Sequence, residues 1–245
     1  MKSYADFAYI YDRLIDENYN RWADYIEEVF RRYSEKTSLV LDLACGTGTL
    51  TTILAKRGYD MIGLDISPDM LSIAETKRGS LPIRYICNDM TDFELYGTVD
   101  AVICTLDGIN YITDTKKLKK TFSLVKNYLN PGGLFVFDIN SKYKISKILG
   151  NNCFVNEHGN IFYTWENIYS PKTGVCTYQL TFFVQNGETY DRVDELQKQR
   201  AYSQKSMEKM LSQSGLTVLG CFDGLSFSPP DKKSERLMLV CKNIC

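Results

Sequence analysis

One short segment, in which a strand runs into a glycine turn and then a helix, limits the fold most. Residues 40–50 read VLDLACGTGTL. The first half is apolar enough for a buried strand, and Gly46 and Gly48 permit a tight turn before the helix. Such turns bind nucleotide-type cofactors, because amide groups at a helix N-terminus face the ligand. No Gly-Lys-Ser/Thr sequence follows, and Thr51 replaces the third glycine of the dinucleotide pattern, so neighbouring residues must indicate the cofactor.

Strands and helices alternate along the first part of the chain. The pattern predicts helices over residues 11–33, 49–57 and 115–129, and a further helix that begins at Pro68 with Ser67 as its N-cap. It predicts strands over residues 39–43, 59–64, 83–87, 99–105 and 134–138, with 130–133 as a turn. Apolar strands that alternate with helices form a parallel sheet with helices on both faces. The expected fold class is therefore α/β, with a Rossmann-like sheet.

The pattern changes between residues 151 and 200, where antiparallel strands are expected. Strands over 161–169 and 175–184 flank a turn, and Asn186-Gly187 is typical of a hairpin. A helix over 203–214 and strands over 217–222 and 236–241 then complete the first sheet. We expect an N-terminal helical lid (1–36), a cofactor-binding core (37–150 and 201–245) and an acceptor-side β insertion (151–200).

Composition and charge exclude several classes of protein. The 245 residues carry a net charge of −1, which does not favour a surface for nucleic acid. No run of apolar residues is long enough to span a membrane, and no export pattern is present, so we expect a cytoplasmic protein. The eight cysteines form no CxxC pair and His158 is the only histidine, so reduced core thiols are expected and no metal site.

Acidic residues lie at the ends of three successive predicted strands, and they indicate the charge of the ligand. Asp42 lies just before the glycine turn, where it would repel the pyrophosphate of a nicotinamide dinucleotide but attract the ammonium group of an adenosyl amino acid. Asp65 ends the second strand and is placed to accept both ribose hydroxyls. Asn88, Asp89 and Met90 follow the third strand and are candidates for adenine recognition. An NAD-dependent oxidoreductase is the less favoured alternative.

Five ordered motifs resemble those of the class I S-adenosylmethionine-dependent methyltransferases. They are VLDLACGTG (40–48), GLDISPDML (63–71), NDM (88–90), CTLDGINYI (104–112) and LNPGGLFVFDIN (129–140). The N-terminal YADFAYIYDRL and the β insertion are similar to small-molecule methyltransferases with an inserted antiparallel sheet, such as sugar-amine and glycine-type N-methyltransferases. The resemblance implies a seven-stranded sheet with its last strand antiparallel, S-adenosylmethionine as cofactor and S-adenosylhomocysteine as product.

The resemblance also implies a set of site residues. The cofactor-binding candidates are Tyr11, Trp22, Asp42, Ala44, Cys45, Gly46, Gly48, Asp65, Ile66, Met70, Asn88, Asp89, Met90, Leu106 and Asn110. Tyr4, Tyr9, Tyr11 and Trp22 are candidates for a lid over cofactor and acceptor, and Met70 for packing on adenine.

The candidates for catalysis are few, because a sulfonium methyl group is already activated. Methyl transfer mainly requires a nucleophile in line with the carbon–sulfur bond and a site that excludes water, and a catalytic base is optional. Asp107 follows the fourth strand, which faces the methyl group in the family, and His158 is the only imidazole.

The sequence favours a small molecule as the methyl acceptor, and it does not decide between an amine and a hydroxyl as the group that is methylated. The segment TLDGIN follows the fourth strand in place of the [DNS]PP[YFW] motif of enzymes that methylate base amines, and no Pro-Cys nucleophile occurs. A protein or RNA acceptor remains the alternative. The chain is expected to act as a monomer or homodimer.

Overall fold

The computed structural model describes residues 8, 10–12, 14 and 17–244, and its strands form two sheets. The strands are β1 (Leu39–Leu43), β2 (Asp60–Asp65), β3 (Arg84–Cys87), β4 (Val99–Cys104), β5 (Leu129–Asn140), β6 (Cys153–His158), β7 (Ile161–Ser170), β8 (Val175–Asn186), β9 (Thr189–Arg200), β10 (Thr217–Asp223) and β11 (Arg236–Lys242). The α-helices with both ends described are α1 (Tyr19–Tyr33), α2 (Thr49–Lys56), α3 (Pro68–Arg78), α4 (Thr115–Tyr128) and α5 (Gln204–Gln213). A 3₁₀ helix spans Gly108–Tyr111 and a π-helix spans Lys144–Leu149.

The larger sheet has seven strands in the order β10-β11-β5-β4-β1-β2-β3. All neighbours pair in parallel except β11, which runs antiparallel to both β5 and β10. Strand order reverses between β1 and β4, and ligands of such sheets bind beyond the carboxyl ends of the strands at that point. This arrangement confirms the predicted fold class, including the antiparallel last strand.

Helices cover both faces of this sheet, because its strands are apolar on both sides. On one face the Phe137 ring of β5 lies 5.9 Å from the Phe122 ring of α4. On the other face Val40 and Val136 belong to a buried cluster with Trp22 of α1. None of the described helices combines the length and the apolar character needed to cross a bilayer.

The first predicted helix, over residues 11–33, is interrupted in the structure. The described residues 10–12 and 14 are helical, whereas Glu17 and Asn18 are not, and α1 begins at Tyr19. The Asn18 side chain accepts a hydrogen bond from the Arg21 amide at 3.2 Å and therefore caps the helix. Apolar periodicity continues across this break, so the periodicity alone hid the cap.

The expected turn at residues 130–133 is instead part of β5. Between Val99 pairing with Leu129 and Ala101 pairing with Leu134, extra residues of β5 form a bulge. The C-terminal segment supplies their backbone partners, since the Gly132 amide donates to the Asn243 carbonyl at 2.7 Å. A Pro-Gly-Gly sequence thus remains in a strand because a distant segment pairs with it.

The insertion forms a four-stranded antiparallel sheet in the order β6-β7-β8-β9. The Asn186-Gly187 hairpin is confirmed, and β8 pairs with β9 along its whole length. At the base of the insertion, Ser141 just beyond β5 bridges to Tyr202 just beyond β9. The two connections between the sheets therefore lie side by side.

Gly48 and Gly46 make a matched pair for testing how tightly the glycine turn is packed. Both have positive φ, +68° and +55°, so alanine strains both by about 1–2 kcal/mol. A Cβ on Gly48 would overlap the Tyr85 hydroxyl and lie 2.8 Å from the Ala74 Cβ, whereas one on Gly46 meets nothing within 4 Å. We expect Gly48→Ala to lower the free energy of unfolding in urea by about 1–3 kcal/mol more than Gly46→Ala. Equal losses in the two variants would contradict this packing.

Candidate functional site

A cavity of about 630 Å³ opens at the carboxyl ends of the central strands. Asp42 of β1, Asp65 of β2 and Thr105 after β4 reach it from neighbouring strands of the large sheet. The remaining lining residues in the described part of the chain are Tyr11, Tyr19, Ala44, Cys45, Gly46, Thr47, Thr49, Leu50, Ile66, Ser67, Met70, Met90, Leu106, Gly108, Tyr111, Thr113, Glu195, Leu196, Gln197 and Lys198. We call it the central cavity.

The turn after β1 is tied to the end of β2. The Gly46 amide donates to the Asp65 carboxylate at 2.9 Å, and the Cys45 amide donates to the Leu64 carbonyl at 3.0 Å. Ala44 has φ of +57°, a conformation that costs energy for a residue with a Cβ. The turn thus holds its backbone close against the central cavity.

Asp42 is a buried carboxylate without a cationic partner among the described residues. Its side chain is 2% exposed, and one oxygen accepts a hydrogen bond from the Thr51 hydroxyl at 2.6 Å. Burial raises the pKa of Asp42 to about 7, and the Asp65 charge adds to that rise. A cation bound in the central cavity would stabilise the ionised form.

Asp65 is also buried, and backbone amides hold both of its oxygens. Oδ1 accepts from the Ser67 amide and Oδ2 from the Gly46 amide, each at 2.9 Å. Burial still raises its pKa above the usual value. Carboxylate oxygens accept more than one hydrogen bond, so Asp65 can also accept from ligand hydroxyls.

A second cavity of about 380 Å³ adjoins the central one beyond β3. Asn88 and Asp89 line it, and Ile66 and Met90 line both cavities. The Asn88 side chain accepts from the Asp89 amide, and the Asp89 side chain from the Thr91 amide, both at 2.8 Å. These hydrogen bonds hold the loop after β3 in place around the space.

A third cavity of about 260 Å³ lies between the two sheets, and we call it the inter-sheet cavity. Tyr11, Tyr111 and Gln197 line both it and the central cavity, so the two spaces adjoin. Its other lining residues are Leu14, Asp107, Asn140, Lys144, Leu149, Tyr163, Trp165, Tyr178, Leu180, Phe182 and Gln199.

Asp107 lies on the wall of the inter-sheet cavity and is fixed by three partners. Its amide donates to Asp138 at 3.0 Å, and its Oδ2 accepts from the Gln199 amide group at 2.5 Å. The Arg236 guanidinium lies 3.4 Å from Oδ1 and also pairs with Asp138. Leu106 and Asp107 both have φ of +56°, and strained residues of this kind cluster at functional sites.

Trp22 and His158, two of the predicted site residues, line none of the three cavities formed by the described residues. Trp22 is 1% exposed, and its indole donates to the exposed Glu17 at 3.0 Å. His158 ends β6 and is exposed. Tyr4 and Tyr9, the other lid candidates, lie outside the described residues.

Asn110 and Gly48 also stand away from these cavities and have structural partners. The Asn110 side chain donates to the Arg200 carbonyl at 2.9 Å and accepts from the Asn140 amide at 2.8 Å. It thereby joins the loop after β4 to both β5 and β9. Gly48 packs against Tyr85, which leaves no room for a side chain.

Many lining residues were not among the predicted site residues, and β9 supplies five of them, residues 195–199. Glu195, Gln197 and Gln199 alternate along β9 on the same face as Val193, which is 6% exposed. Polar residues at every second position after a valine predict that one face of β9 is partly buried, and this pattern was the signal for the cavity-lining face. Arg236 gave no signal, because its partners are distant in the sequence.

Comparisons with known proteins agree with this architecture. Residues 40–133 match the family model described as "Methyltransferase domain". An S-adenosylmethionine-dependent methyltransferase from Clostridium acetobutylicum ATCC 824 superimposes with a TM-score of 0.90 and 40% identity over 98% of each chain. The Bacillus subtilis protein named "Putative methyltransferase YqeM" is 33% identical over 96% of this chain and 94% of its own length.

A more distant relative carries a name that specifies its reaction. The dTDP-3-amino-3,4,6-trideoxy-alpha-D-glucopyranose N,N-dimethyltransferase of Streptomyces venezuelae is 30% identical over 55% of this chain and 57% of its own length. On the strength of the full-length matches, the chain belongs to the class I S-adenosylmethionine-dependent methyltransferases, and S-adenosylmethionine is its cofactor.

The raised pKa of Asp42 predicts how cofactor affinity depends on pH. If ionised Asp42 pairs with the cofactor ammonium, affinity is full above a pH of about 7 and falls below it, because the protonated carboxyl must first lose its proton. We expect the dissociation constant of S-adenosylhomocysteine, measured by calorimetry, to rise toward about tenfold per pH unit below that value. Asp42→Asn should bind weakly with a flatter pH profile. An unchanged affinity in this variant would refute the pairing.

Arg236 should contribute far more to stability than an exposed arginine. Arg236→Met leaves the carboxylates of Asp138 and Asp107 without their cation, so we expect a loss of about 3–5 kcal/mol in unfolding free energy at neutral pH. Arg192→Met removes the exposed pair with Asp194 and should cost at most about 1 kcal/mol. Burial raises the pKa of Asp138, and loss of Arg236 raises it further, so the Arg236→Met deficit should shrink as that carboxyl protonates in acid. Urea unfolding at two pH values checks both expectations.

Proposed function

We propose that this chain transfers the methyl group of S-adenosylmethionine to an amine or hydroxyl of a small molecule bound in the inter-sheet cavity. One observation carries the proposal. The inter-sheet cavity adjoins the cofactor side through shared lining residues, and the four-stranded sheet covers it. Its volume of about 260 Å³ is near the lower end of small-molecule sites, which run from about 300 to 1,000 Å³.

The central and second cavities together fit the cofactor. Asp42 would pair with the amino-acid ammonium, and Asp65 would accept from the ribose hydroxyls. The buried, uncompensated carboxylate of Asp42 is the observation that fits a cationic ligand. Asn88 and Asp89 line the space in which adenine would lie.

Other lining residues supply shape rather than charge. In this proposal Ile66, Met70 and Met90 pack against adenine, and the backbone from Ala44 to Gly46 approaches the amino-acid part. Tyr11 stands between the cofactor and the acceptor, since it lines both the central and the inter-sheet cavities, and Leu106 lines the central cavity.

In the proposed division of the chain, residues 151–200 form the acceptor-side part. Tyr163, Trp165, Tyr178 and Phe182 from β7 and β8 line the inter-sheet cavity. Aromatic rings there exclude water from the reacting groups, which strengthens electrostatic contacts in the cavity. The Streptomyces venezuelae relative is named for methylation of an amino sugar, which supports an acceptor of small-molecule size.

Bound S-adenosylmethionine supplies an electrophilic methyl carbon that accepts the lone pair of the acceptor nitrogen or oxygen while the carbon–sulfur bond electrons remain with sulfur. The protein aligns the acceptor and receives the proton that the acceptor loses. Asp107 is the proposed proton acceptor, because its carboxylate lines the inter-sheet cavity and Gln199 and Arg236 hold its orientation. His158 is not part of this proposal, since it is exposed on β6.

The size of the acceptor can be tested without knowing its identity. The protein is incubated with S-adenosylmethionine that carries a tritiated methyl group and with a cell extract separated into dialysable and macromolecular fractions. Label in a product from the dialysable fraction supports the proposal. Label only in protein or RNA contradicts it and establishes the alternative acceptor class.

Asp107→Asn tests the proposed proton acceptor. Loss of a general base typically lowers the rate by about 10²- to 10⁴-fold, and we expect kcat with the dialysable fraction to fall in that range. Affinity for S-adenosylhomocysteine should not change, because Asp107 does not line the central cavity. His158→Ala is the control, and both its rate and its affinity should equal those of the unmodified chain. An Asp107→Asn variant with full activity would remove Asp107 from the mechanism.

A further inference from the structure

Lys144 occupies a fixed position on the wall of the inter-sheet cavity. It begins the π-helix that follows β5, and its amide donates to the Ser141 hydroxyl at 3.0 Å. Ile145 and Leu149 of the same helix are buried, at 0% and 5% exposure, against Tyr178 of the small sheet. Short π-helical segments are frequent at functional sites. The backbone that carries Lys144 is therefore held by packing on both sides.

The ammonium of Lys144 is half-buried and has no counter-ion. Within the described part of the chain its Nζ makes no ion pair and no hydrogen bond. Burial, followed by the positive charge of Arg236, lowers the pKa of Lys144, and these effects outweigh the opposing charges of Asp107 and Asp138. An uncompensated charge in a half-buried position is unfavourable for the protein alone.

Gln199 and Asp107 on the wall of this cavity already have partners, whereas the buried Trp165 Nε1 and Asn140 Oδ1 make no hydrogen bond. Gln199 donates to Asp107 at 2.5 Å, and its carbonyl oxygen accepts from Tyr178 at 3.0 Å and from Asn140 at 3.1 Å. The charge of Asp107 is opposed by Arg236. Asp107 and Lys144 are the two charged residues among the described lining of this cavity, and Lys144 alone of the two lacks an ion pair.

We propose that Lys144 is a specificity-determining residue that binds an anionic group of the methyl acceptor, most simply a carboxylate. This inference rests on the proposed function and narrows its substrate class to acceptors that carry a negative charge. The acceptor anion supplies the counter-ion that the folded chain lacks. Its amine or hydroxyl then lies on the side of Asp107, while the aromatic rings of Trp165 and Tyr178 pack against its apolar part.

The arrangement separates recognition from chemistry. Asp107 follows β4 and Lys144 follows β5, and these strands are neighbours in the large sheet. An acceptor that spans the two residues is held at one end by charge and offers its nucleophile at the other. Two-point attachment of this kind orients a small ligand for an in-line reaction.

Calorimetry with a matched pair of probes tests the inference directly. Benzoate and benzamide have nearly the same shape, and only benzoate is charged. Each is titrated into the full chain saturated with S-adenosylhomocysteine. We expect benzoate to bind at least tenfold more tightly than benzamide, because Lys144 contributes a charge-assisted hydrogen bond to the carboxylate alone.

Four variants assign that preference to Lys144. Lys144→Gln should abolish the preference for benzoate, because it removes the positive charge. Lys144→Arg should retain most of the preference, because arginine keeps that charge. Lys147→Gln is the matched control, since Lys147 is exposed on the same π-helix, and it should keep the full preference. If Lys144→Gln no longer binds S-adenosylhomocysteine, Lys144→Met, which keeps the aliphatic stem, replaces it.

Three results would overturn the inference. They are equal affinity for benzoate and benzamide, no binding of benzoate, and a benzoate preference that survives Lys144→Gln or Lys144→Met.

The tritiated product separates this inference from the proposed function. A dialysable product that an anion-exchange resin retains at alkaline pH supports both, and one that is not retained contradicts only the role of Lys144. Label found only in macromolecules contradicts the proposed function itself.

Discussion

The pairing of Arg236 with Asp138 and Asp107 is the interaction on which the acceptor side of this structure depends. Because β11 runs antiparallel to β5, its first residue lies at the edge where the parallel strands end. Arg236 therefore reaches carboxylates that would otherwise be buried without a cation. Asp138 in turn accepts from the Asp107 amide and holds that residue in a left-handed conformation. The direction of one strand thus determines which side chain stabilises the wall of the inter-sheet cavity.

The cofactor side differs from the acceptor side, because its buried carboxylates have no cationic partner among the described residues. Asp42 and Asp65 are buried at neighbouring strand ends, and burial raises the pKa of both. Two backbone amides donate hydrogen bonds to Asp65, whereas a single hydroxyl donates to Asp42. A ligand with an ammonium group and a ribose complements both residues. Burying these carboxylates lowers the stability of the unliganded protein, and a ligand that pairs with them offsets that cost when it binds.

Local sequence signals predicted the large sheet well, since each signal acts within a few residues. The bounds of β1 agree at both ends, and Ser67 caps α3 as expected, accepting from the Met70 amide at 3.3 Å. Two features were missed: the break before α1, which depends on the Asn18 cap, and the strand through Pro131, which depends on a distant partner. Lys144 was not among the site residues chosen from the sequence for the same reason, because only the folded chain shows that an ordinary lysine lacks a counter-ion.

The adjacent bridge between Ser141 and Tyr202 means that the small sheet leaves and rejoins the large one at a single neck. No described residue between these two takes part in the strand pairing of the large sheet. Changes within the insertion should therefore leave the strand order that positions Asp42 and Asp65 unaltered. The same insertion lines both the central cavity, through residues 195–198, and the inter-sheet cavity, so a change in it reaches the cofactor side as well as the acceptor side.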